Sequence, residues 1–331
     1  MTHELRFALG ILRRRPFQCL VQVTNRCNMQ CSFCDFWPNG VPSREELTLA
    51  DFQRIAGELA ELGCFLVSVE GGEPFVRPDL VDIVRAFAAR HLPLLYTNGW
   101  YVDEAKARAL FDAGLTQVGV SIDFPDARRH DAKRGWPRAF EQARRAIATL
   151  RDAAPHGGKQ VHVMTVLVQD NQEDLEALLQ LSKSLGVGHC FTLLSATGFR
   201  RGHRDCLPTR SLSRELGEAW QRHPHMRMFR DYLGRIDAFR EGGDMPRCRA
   251  GVQSFNIDHV GNVAPCIEKI DRPAGNVRGE RLRDIVARMR ELPEVAGCQD
   301  CWTLCRGFGQ VMGQGGGVKA WSDLALRMRS H

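Results

Sequence analysis

Apolar residues alternate along residues 18–194 between two patterns. Short continuous apolar runs are typical of strands buried on both faces of a sheet, and longer segments with apolar residues three or four positions apart predict amphipathic helices. The predicted strands are 19–24, 65–69, 93–97, 117–122, 161–168 and 188–194. The predicted helices are 49–62, 78–90, 103–113, 137–153 and 172–185.

This alternation of strand and helix predicts a parallel sheet in an α/β protein. Six units are too few for a complete eight-stranded barrel, so we expect a partial (β/α)6 TIM-type barrel. In such barrels the functional residues gather at the carboxyl ends of the strands. The predicted division of the chain is an N-terminal basic amphipathic segment (1–17), the barrel (18–210), a helical connector (211–247) and a small cysteine-rich C-terminal domain (248–331).

Three cysteines follow the first predicted strand at the spacing C-x3-C-x2-C. Cys27, Cys31 and Cys34 lie within eight residues of one another on what reads as a loop. Three thiolates so placed can bind three irons of a cubane cluster and leave the fourth iron open to another ligand. Zinc usually takes paired C-x2-C ligands and four closed positions. The spacing favours the cluster, with zinc and buried free thiols as the alternatives.

Composition places the chain among cytoplasmic globular proteins. The chain has 331 residues, of which 44% are hydrophobic, and no apolar run reaches the roughly 18 residues that a membrane span needs. The apolar stretch 7–12 is too short for a secretory signal. In the cytoplasm, 12 cysteines indicate metal ligands or free thiols rather than disulfides. The net charge of +6 does not favour nucleic acid as a partner.

Residues 3–15 mix apolar and basic residues in a helix-compatible pattern. One interpretation is a helix packed on the barrel. The other is an interfacial segment that contacts an acidic membrane surface or a lipid-like substrate. Both remain open at this point.

The cysteine loop, with aromatic Phe33 before its last cysteine, resembles the radical S-adenosylmethionine (radical SAM) superfamily. Gly71-Gly72-Glu73-Pro74, one strand later, resembles the segment that receives the methionyl amino group of S-adenosylmethionine in that family, although such a sequence can also be an ordinary turn. The polar residues ending the fourth strand match positions that often bind the cofactor ribose, or they are loop caps; Ser121 is the better candidate and Asp123 the weaker. The cofactor-binding residues that the resemblance implies are Phe33, Gly71, Gly72, Glu73, Asn98, Ser121 and Asp123.

A second group of five cysteines occupies three places near the C-terminus: Cys248, Cys266, Cys298, Cys301 and Cys305. We expect this small region to have little core of its own, so that a metal centre holds it together. A hairpin over 254–266 followed by C-x2-C resembles the twitch/SPASM extension, which carries auxiliary [4Fe–4S] clusters. A full SPASM extension has about seven cysteines for two clusters, whereas five suffice for one. The first four match the twitch arrangement best, Cys305 is a substitute ligand or a spare thiol, and a zinc site is the alternative.

The resemblance implies a radical enzyme. The cluster and S-adenosylmethionine would generate a 5′-deoxyadenosyl radical that abstracts hydrogen from a small-molecule, sugar or lipid intermediate, leading to oxidation or bond formation with help from the auxiliary cluster. Flavodoxin or ferredoxin would donate the electron. A SPASM-type peptide or protein maturase is the second hypothesis, and a zinc- or cluster-stabilised binding protein is the non-enzymatic one. No catalytic acid or base can be assigned from the sequence.

Overall fold

A computed structural model describes residues 2–195, 197–198, 203–292, 298–313 and 317–328. The strands of the barrel are β1 (Gln18–Thr24), β2 (Leu66–Gly71), β3 (Leu92–Thr97), β4 (Gln117–Ser121), β5 (Val161–Leu167) and β6 (Gly188–Leu193). The helices that accompany them are α1 (His3–Leu12), α2 (Leu49–Leu62), α3 (Leu80–Ala88), α4 (Glu104–Asp112), α5 (Ala127–Arg134), α6 (Ala139–Ala153) and α7 (Leu175–Ser184).

The six strands are parallel and lie in chain order across the sheet, which confirms the predicted partial barrel. The helix ends follow from local capping. Thr48 and Asp51 form a capping box at the start of α2, and the Asp103 side chain accepts a hydrogen bond from the Lys106 amide at the start of α4. Helix α5 was not predicted, because its sequence is almost wholly polar and basic and shows no apolar stripe.

The C-terminal part adds strands β7 (Ser254–Ile257), β8 (Asn262–Ala264) and β9 (Gly275–Asn276). Its helices are α8 (Ser213–Arg222), α9 (Arg230–Leu233), α10 (Ile236–Arg240), α11 (Leu282–Met289), α12 (Leu304–Gly313) and α13 (Gly317–Asp323). Strands β7 and β8 form the expected hairpin, and the Asp258 carboxylate closes its turn by accepting from the amides of Val260 and Asn262.

The hairpin belongs to the same sheet as the barrel. Strand β7 pairs in parallel with β1, with Gln18 opposite Ser254 and Val21 opposite Ile257. The sheet therefore has nine strands in the order β6-β5-β4-β3-β2-β1-β7-β8-β9 and crosses the predicted boundary at residue 248.

The hydrophobic core is also continuous across that boundary. Phe255 of β7 packs edge-on against Phe65, and Val286 of α11 is buried in the same core as the barrel strands. The Glu58 carboxylate of α2 accepts a hydrogen bond from the Leu282 amide at 2.6 Å and so ties α11 to the barrel. The C-terminal region has little core of its own, as expected, but the hairpin and α11 pack into the barrel core, so a metal centre is not all that holds this region together.

Helix α1 packs on the barrel, which is the first of the two interpretations of this segment. Phe7 meets Phe17 edge-on at 6.1 Å and Ile11 is buried, whereas Leu5 and Leu12 are exposed. No helix in the described part of the chain is long and apolar enough to cross a membrane.

Candidate functional site

The cysteine loop opens onto a cavity inside the barrel. Cys27, Cys31 and Cys34 all line this cavity of about 880 Å³. Gly71 and Gly72, at the end of β2, line it beside them. The three thiols and the two glycines therefore meet at the carboxyl ends of neighbouring strands.

The glycine pair is required by the cysteine loop itself. A Cβ on Gly72 would lie 2.3 Å from the carbonyl oxygen of Arg26, and one on Gly71 would lie 2.0 Å from that of Thr24. The Gly72 amide donates to the Thr24 carbonyl at 2.8 Å, and the Glu73 amide donates to that of Arg26 at 2.9 Å. Only residues without a side chain allow β2 to approach the loop backbone so closely.

Helix α5 holds the loop from the opposite side. Its carbonyl groups at Lys133 and Arg134 accept hydrogen bonds from the loop amides of Ser32 and Gln30, each at 3.2 Å. Gly135 ends the helix with a left-handed φ of +60°, where a Cβ would lie 2.6 Å from the carbonyl oxygen of Gln30. These contacts of α5 with the cysteine loop were not predicted, because the helix itself shows no apolar stripe in the sequence.

Arg134 links the loop to the end of β4. Its buried guanidinium lies 2.6 Å from the Asp123 carboxylate and 3.9 Å from the Cys31 sulfur. The Phe33 ring lies under the same guanidinium, 5.6 Å from its carbon to the ring centroid. Asp123 was predicted to contact the cofactor; its carboxylate instead pairs with Arg134 and accepts from the Val166 amide. Ser121 lines the cavity.

His130 supports this ion pair through the backbone. Its Nδ1 accepts a hydrogen bond from the Asp123 amide at 3.1 Å. Burial, reinforced by nearby Arg134, lowers the pKa of His130 to about 4, so the imidazole is neutral and can act as the acceptor.

Glu73 is fully buried below the cavity surface, where its carboxylate accepts three hydrogen bonds. Its carboxylate accepts from the Thr97 hydroxyl at 2.8 Å, the Asn98 amide at 2.7 Å and the Phe75 amide at 3.0 Å. Burial raises its pKa to about 7, while these hydrogen bonds favour the ionised form. The contact of Glu73 with a methionyl amino group stays a prediction, and the observed hydrogen bonds hold the end of β3 in place.

Asn98 then reaches the cysteine loop. Its side-chain amide donates to the Asn28 side chain at 2.9 Å and lies 3.9 Å from the Cys27 sulfur. Asn98 also lines the cavity. A hydrogen-bond donor near a ligand thiolate lowers the energy of the charged form.

A charged network that the sequence did not reveal anchors the start of the loop. Buried Glu46 pairs with Arg26 at 2.9 Å and with Arg77 at 3.4 Å, and it accepts from the Thr24 hydroxyl. Arg77 is held in turn by Asp79 at 2.7 Å. The sequence gives no sign that Glu46 contacts the loop. Glu46 follows Arg26 by 20 residues, and only the folded structure brings the two together.

The electrostatics of the loop suit a metal-bound thiolate and not a free one. Burial raises the pKa of Cys27 to about 12, and nearby Glu73, Cys31 and Cys34 raise it further, while the Met29 amide opposes the shift. Burial also raises the pKa of Cys31, and Arg134 opposes this shift. A bound metal removes such protons because the thiolate is the ligand. The donor set of three adjacent thiols with one guanidinium therefore fits an iron–sulfur cluster with one open position.

The second group of thiols lines a separate cavity of about 520 Å³. Cys248 and Cys298 share a hydrogen bond that favours the thiolate of Cys298. Burial raises the pKa of Cys301 to about 12, and Cys305 raises it further. The cysteines that meet here are Cys248, Cys266, Cys298, Cys301 and Cys305, as predicted from their three separate positions in the sequence.

Cationic side chains line this cavity together with the thiols, among them Arg306 and Lys269. Arg306 donates to the Cys301 carbonyl and to that of Pro246, and its guanidinium lies over the Trp302 ring at 5.4 Å. Lys269 pairs with Asp300 at 3.1 Å, and both Lys269 and Arg306 line the cavity. Positive charge here offsets the negative charge that several thiolates bring.

Cys305 lies on the wall between the two cavities. It lines both of them, as do Thr303 and Leu20. The Thr303 hydroxyl and the Cys305 sulfur share a hydrogen bond of 3.0 Å.

Within the described ranges, no three His, Cys, Asp or Glu side chains are arranged to ligate a single metal ion.

Comparison with known families agrees with this geometry. The Radical SAM superfamily matches residues 21–182, and an Iron-sulfur cluster-binding domain family, SPASM, matches residues 248–302. The chain belongs to the radical SAM superfamily, in the branch with an auxiliary iron–sulfur domain. It is therefore an enzyme that uses a [4Fe–4S] cluster, S-adenosylmethionine and an auxiliary iron–sulfur centre.

Two relatives that resemble this chain in sequence are named for different reactions. The chain is 31% identical over 308 residues to "GTP 3′,8-cyclase" of Pectobacterium atrosepticum, covering 85% of this chain and 87% of the relative. It is 27% identical over 292 residues to "AdoMet-dependent heme synthase" of Oleidesulfovibrio alaskensis, covering 80% of this chain and 72% of the relative.

Solved structures share the fold. Streptococcus suis SuiB bound to S-adenosylmethionine has a TM-score of 0.63 at 14% identity, covering 85% of this chain and 67% of that one. The enzyme anSMEcpe with bound AdoMet and a peptide has a TM-score of 0.61 at 17% identity, covering 85% and 82%. At these identities the likeness concerns the fold.

Proposed function

We propose that this enzyme abstracts a hydrogen atom from a small biosynthetic molecule, with oxidation or bond formation as the outcome. The observation that carries the proposal is the cavity of about 880 Å³ that begins at the cysteine loop and lies inside the barrel. A cavity of this size suits a small ligand, together with the cofactor, better than an extended chain. The relatives named GTP 3′,8-cyclase and AdoMet-dependent heme synthase support a small molecule.

The residues of the loop would bind and orient the cofactors. Cys27, Cys31 and Cys34 would ligate the [4Fe–4S] cluster. When bound, the cluster and S-adenosylmethionine supply a 5′-deoxyadenosyl radical. Gly71 and Gly72, which line the cavity beside the cysteines, would contact the methionyl part of the cofactor through their backbone. The remaining cofactor contacts that we propose are Ser121 with the ribose, and Asn98 and Phe33 beside the cluster.

The auxiliary centre would be bound by Cys248, Cys266, Cys298 and Cys301. Cys305 lies on the wall towards the barrel cavity, so it is either a fourth ligand in place of one of these or a thiol that separates the two sites. The position of this second centre beside the barrel cavity supports a role in accepting an electron from the substrate or in placing it.

Peptide maturation is the second candidate. The SuiB structure with its precursor peptide and the anSMEcpe structure with a bound peptide favour it, although they share only 16% and 17% identity with this chain. We further propose flavodoxin or ferredoxin as the electron donor, a cytoplasmic location, and peripheral membrane contact through exposed Leu5 and Leu12 of α1.

The two substrate classes can be separated by deuterium transfer. Cells of the source organism are grown in deuterated medium, and their extract is divided into an ultrafiltered small-molecule fraction and a protein and peptide fraction. Each is incubated anaerobically with the reconstituted enzyme, reductant and S-adenosylmethionine. We expect deuterium in 5′-deoxyadenosine with the small-molecule fraction, resistant to prior protease treatment. Transfer only from the peptide fraction, abolished by protease, would overturn the proposal.

A further inference from the structure

Across the barrel sheet, one row of neighbouring residues alternates between a large aromatic side chain and glycine. Tyr96 of β3, Gly119 of β4, His162 of β5 and Gly188 of β6 are successive partners across the sheet. A Cβ on Gly119 would lie 2.7 Å from both the His162 imidazole and the Tyr96 ring. The glycine therefore makes room for two polar aromatic groups, which meet edge-on at 6.2 Å.

The gap at Gly188 is filled by an arginine from outside the barrel strands. A Cβ on Gly188 would lie 2.4 Å from Nε of Arg227. Arg227 precedes α9, and its segment runs beside β6: the Arg227 amide donates to the His189 carbonyl at 2.8 Å, and the Cys190 thiol donates to the Arg227 carbonyl at 3.2 Å. The backbone thus fixes the point at which the guanidinium enters the barrel.

This guanidinium is buried without a counter-charge. Arg227 is 9% exposed, and no ion pair joins it to a carboxylate in the described part of the chain. Glu70 lines the cavity from β2, four strands away from β6. Of the other buried arginines in the described part of the chain, Arg77 and Arg134 have carboxylate partners in Asp79 and Asp123, and Arg306 donates to the carbonyls of Cys301 and Pro246. A buried charge without a partner is costly, so its retention indicates that something else neutralises it.

His162 supplies a second unpartnered group at the same place. It is 3% exposed, lines the cavity, and its Nε2 has no hydrogen-bond partner among the residues described. Burial and the nearby Arg227 lower the pKa of His162 to about 3, so the imidazole is neutral. Its neutral ring carries one N–H donor, and a bound anion can fix which nitrogen bears it.

We propose that Arg227 and His162 form a binding site for the carboxylate or phosphate group of a small molecule in the lower half of the barrel. A planar guanidinium binds either group through paired hydrogen bonds. The cavity extends past these residues to Phe7 of α1 and Trp321 of α13. His162 is the second residue of β5, so this site lies roughly 15 Å below the end of the strand, at about 3.3 Å per residue. It is separate from the proposed cofactor contacts.

The test is anion-dependent stability of the reconstituted, full-length enzyme without turnover. The midpoint of thermal unfolding is measured anaerobically against increasing inorganic phosphate, and separately against acetate, with chloride at matched ionic strength as reference. We expect a rise in midpoint that saturates with phosphate, acetate or both, since a ligand that binds only the folded state stabilises it. A saturable response to phosphate alone identifies a phosphate site, and a response to acetate alone a carboxylate site. No response beyond that to chloride overturns the proposal.

Variants assign the response to Arg227. In Arg227→Met the saturable rise should vanish, and without anions this variant should unfold no earlier than wild type, because an uncompensated buried charge has been removed. Arg227→Lys keeps the charge and should retain a weaker response, which covers the case in which Arg227→Met does not fold. Arg222→Met, half-exposed on α8, is the matched control and should respond like wild type. A full response in Arg227→Met would also overturn the proposal, and none of these results depends on cleavage of S-adenosylmethionine.

Discussion

The two groups of cysteines in this protein are held in different ways. The cysteine loop is fixed by other parts of the chain. Amides at the end of β2 donate hydrogen bonds to its backbone, and carbonyl groups of α5 accept hydrogen bonds from it. Asn98, at the end of β3, contacts the loop, and the Glu46 network anchors its start. The five C-terminal thiols come from three separate segments and meet around a cavity, with a few side-chain contacts such as Lys269–Asp300 between those segments. The first site is therefore preorganised by protein contacts, whereas the second depends more on its metal centre.

The largest expected effect is the loss of cofactor cleavage when a loop thiol is removed. In Cys27→Ala, formation of 5′-deoxyadenosine should fall to background, because one iron loses its ligand, while the thermal unfolding midpoint stays close to wild type, since the loop is held by other contacts. The measurement is chromatography of 5′-deoxyadenosine after anaerobic reconstitution. Cys64→Ala, which removes a buried thiol bonded to the His3 carbonyl, is the control and should keep activity. Full activity in Cys27→Ala would refute the assigned ligand.

Removal of iron should affect the cysteine loop and the C-terminal cysteine segments differently. After anaerobic chelation, amide hydrogen exchange should rise more in 298–313 and around Cys248 and Cys266 than in the cysteine loop, because the metal centre would join these segments directly, in addition to contacts such as Arg306 with the Pro246 carbonyl and Gln253 with the Gly313 carbonyl. The amides of Gly72 and Glu73, which bond to the cysteine loop, should remain protected. Equal loss of protection in both regions would contradict the contrast between them.

A smaller, measurable effect concerns Arg134. Arg134→Met leaves Asp123 buried without its partner, which should cost about 3–5 kcal/mol in the free energy of unfolding. Arg134→Met with Asp123→Asn removes both charges and should recover most of that loss. The reduction potential of the cluster bound by the loop should fall in both variants, because the positive charge and hydrogen bond near the Cys31 sulfur are gone. An unchanged potential would show that Arg134 has only a structural role.

The smallest effect separates the ligands of the auxiliary centre. Cys301→Ala should lose the iron of that centre, whereas Cys305→Ala should retain most of it if Cys305 is the thiol that separates the cavities. Iron and sulfide analysis of the two purified variants checks this. Equal loss in both variants would make Cys305 a ligand.

Much of the barrel could be predicted from the sequence because its signals are local. Apolar runs and amphipathic stripes located the six strands and most of the helices between them, with polar α5 the exception, and the spacing of Cys27, Cys31 and Cys34 marked the loop. Thr48 caps the start of α2 and Asp103 that of α4 through equally local contacts.

The remaining features depend on contacts between distant residues. Strand β7 joins β1 across more than 200 positions, and no local pattern shows such a pairing. Arg134 is one of many arginines in the sequence, and only the turn at Gly135 brings it to Cys31 and Asp123. The position of Arg227 inside the barrel could not be predicted either. It depends on Gly188 of β6, which has no side chain to block the guanidinium.

The preorganised loop with an open iron is tested most directly by electron paramagnetic resonance of the reconstituted, reduced enzyme with and without S-adenosylmethionine. We predict a reduced cluster signal that changes when S-adenosylmethionine is added and that disappears in Cys27→Ala, while the signal of the auxiliary centre remains in both. A spectrum that does not respond to S-adenosylmethionine, or a loop that contains zinc in place of iron, would contradict the account.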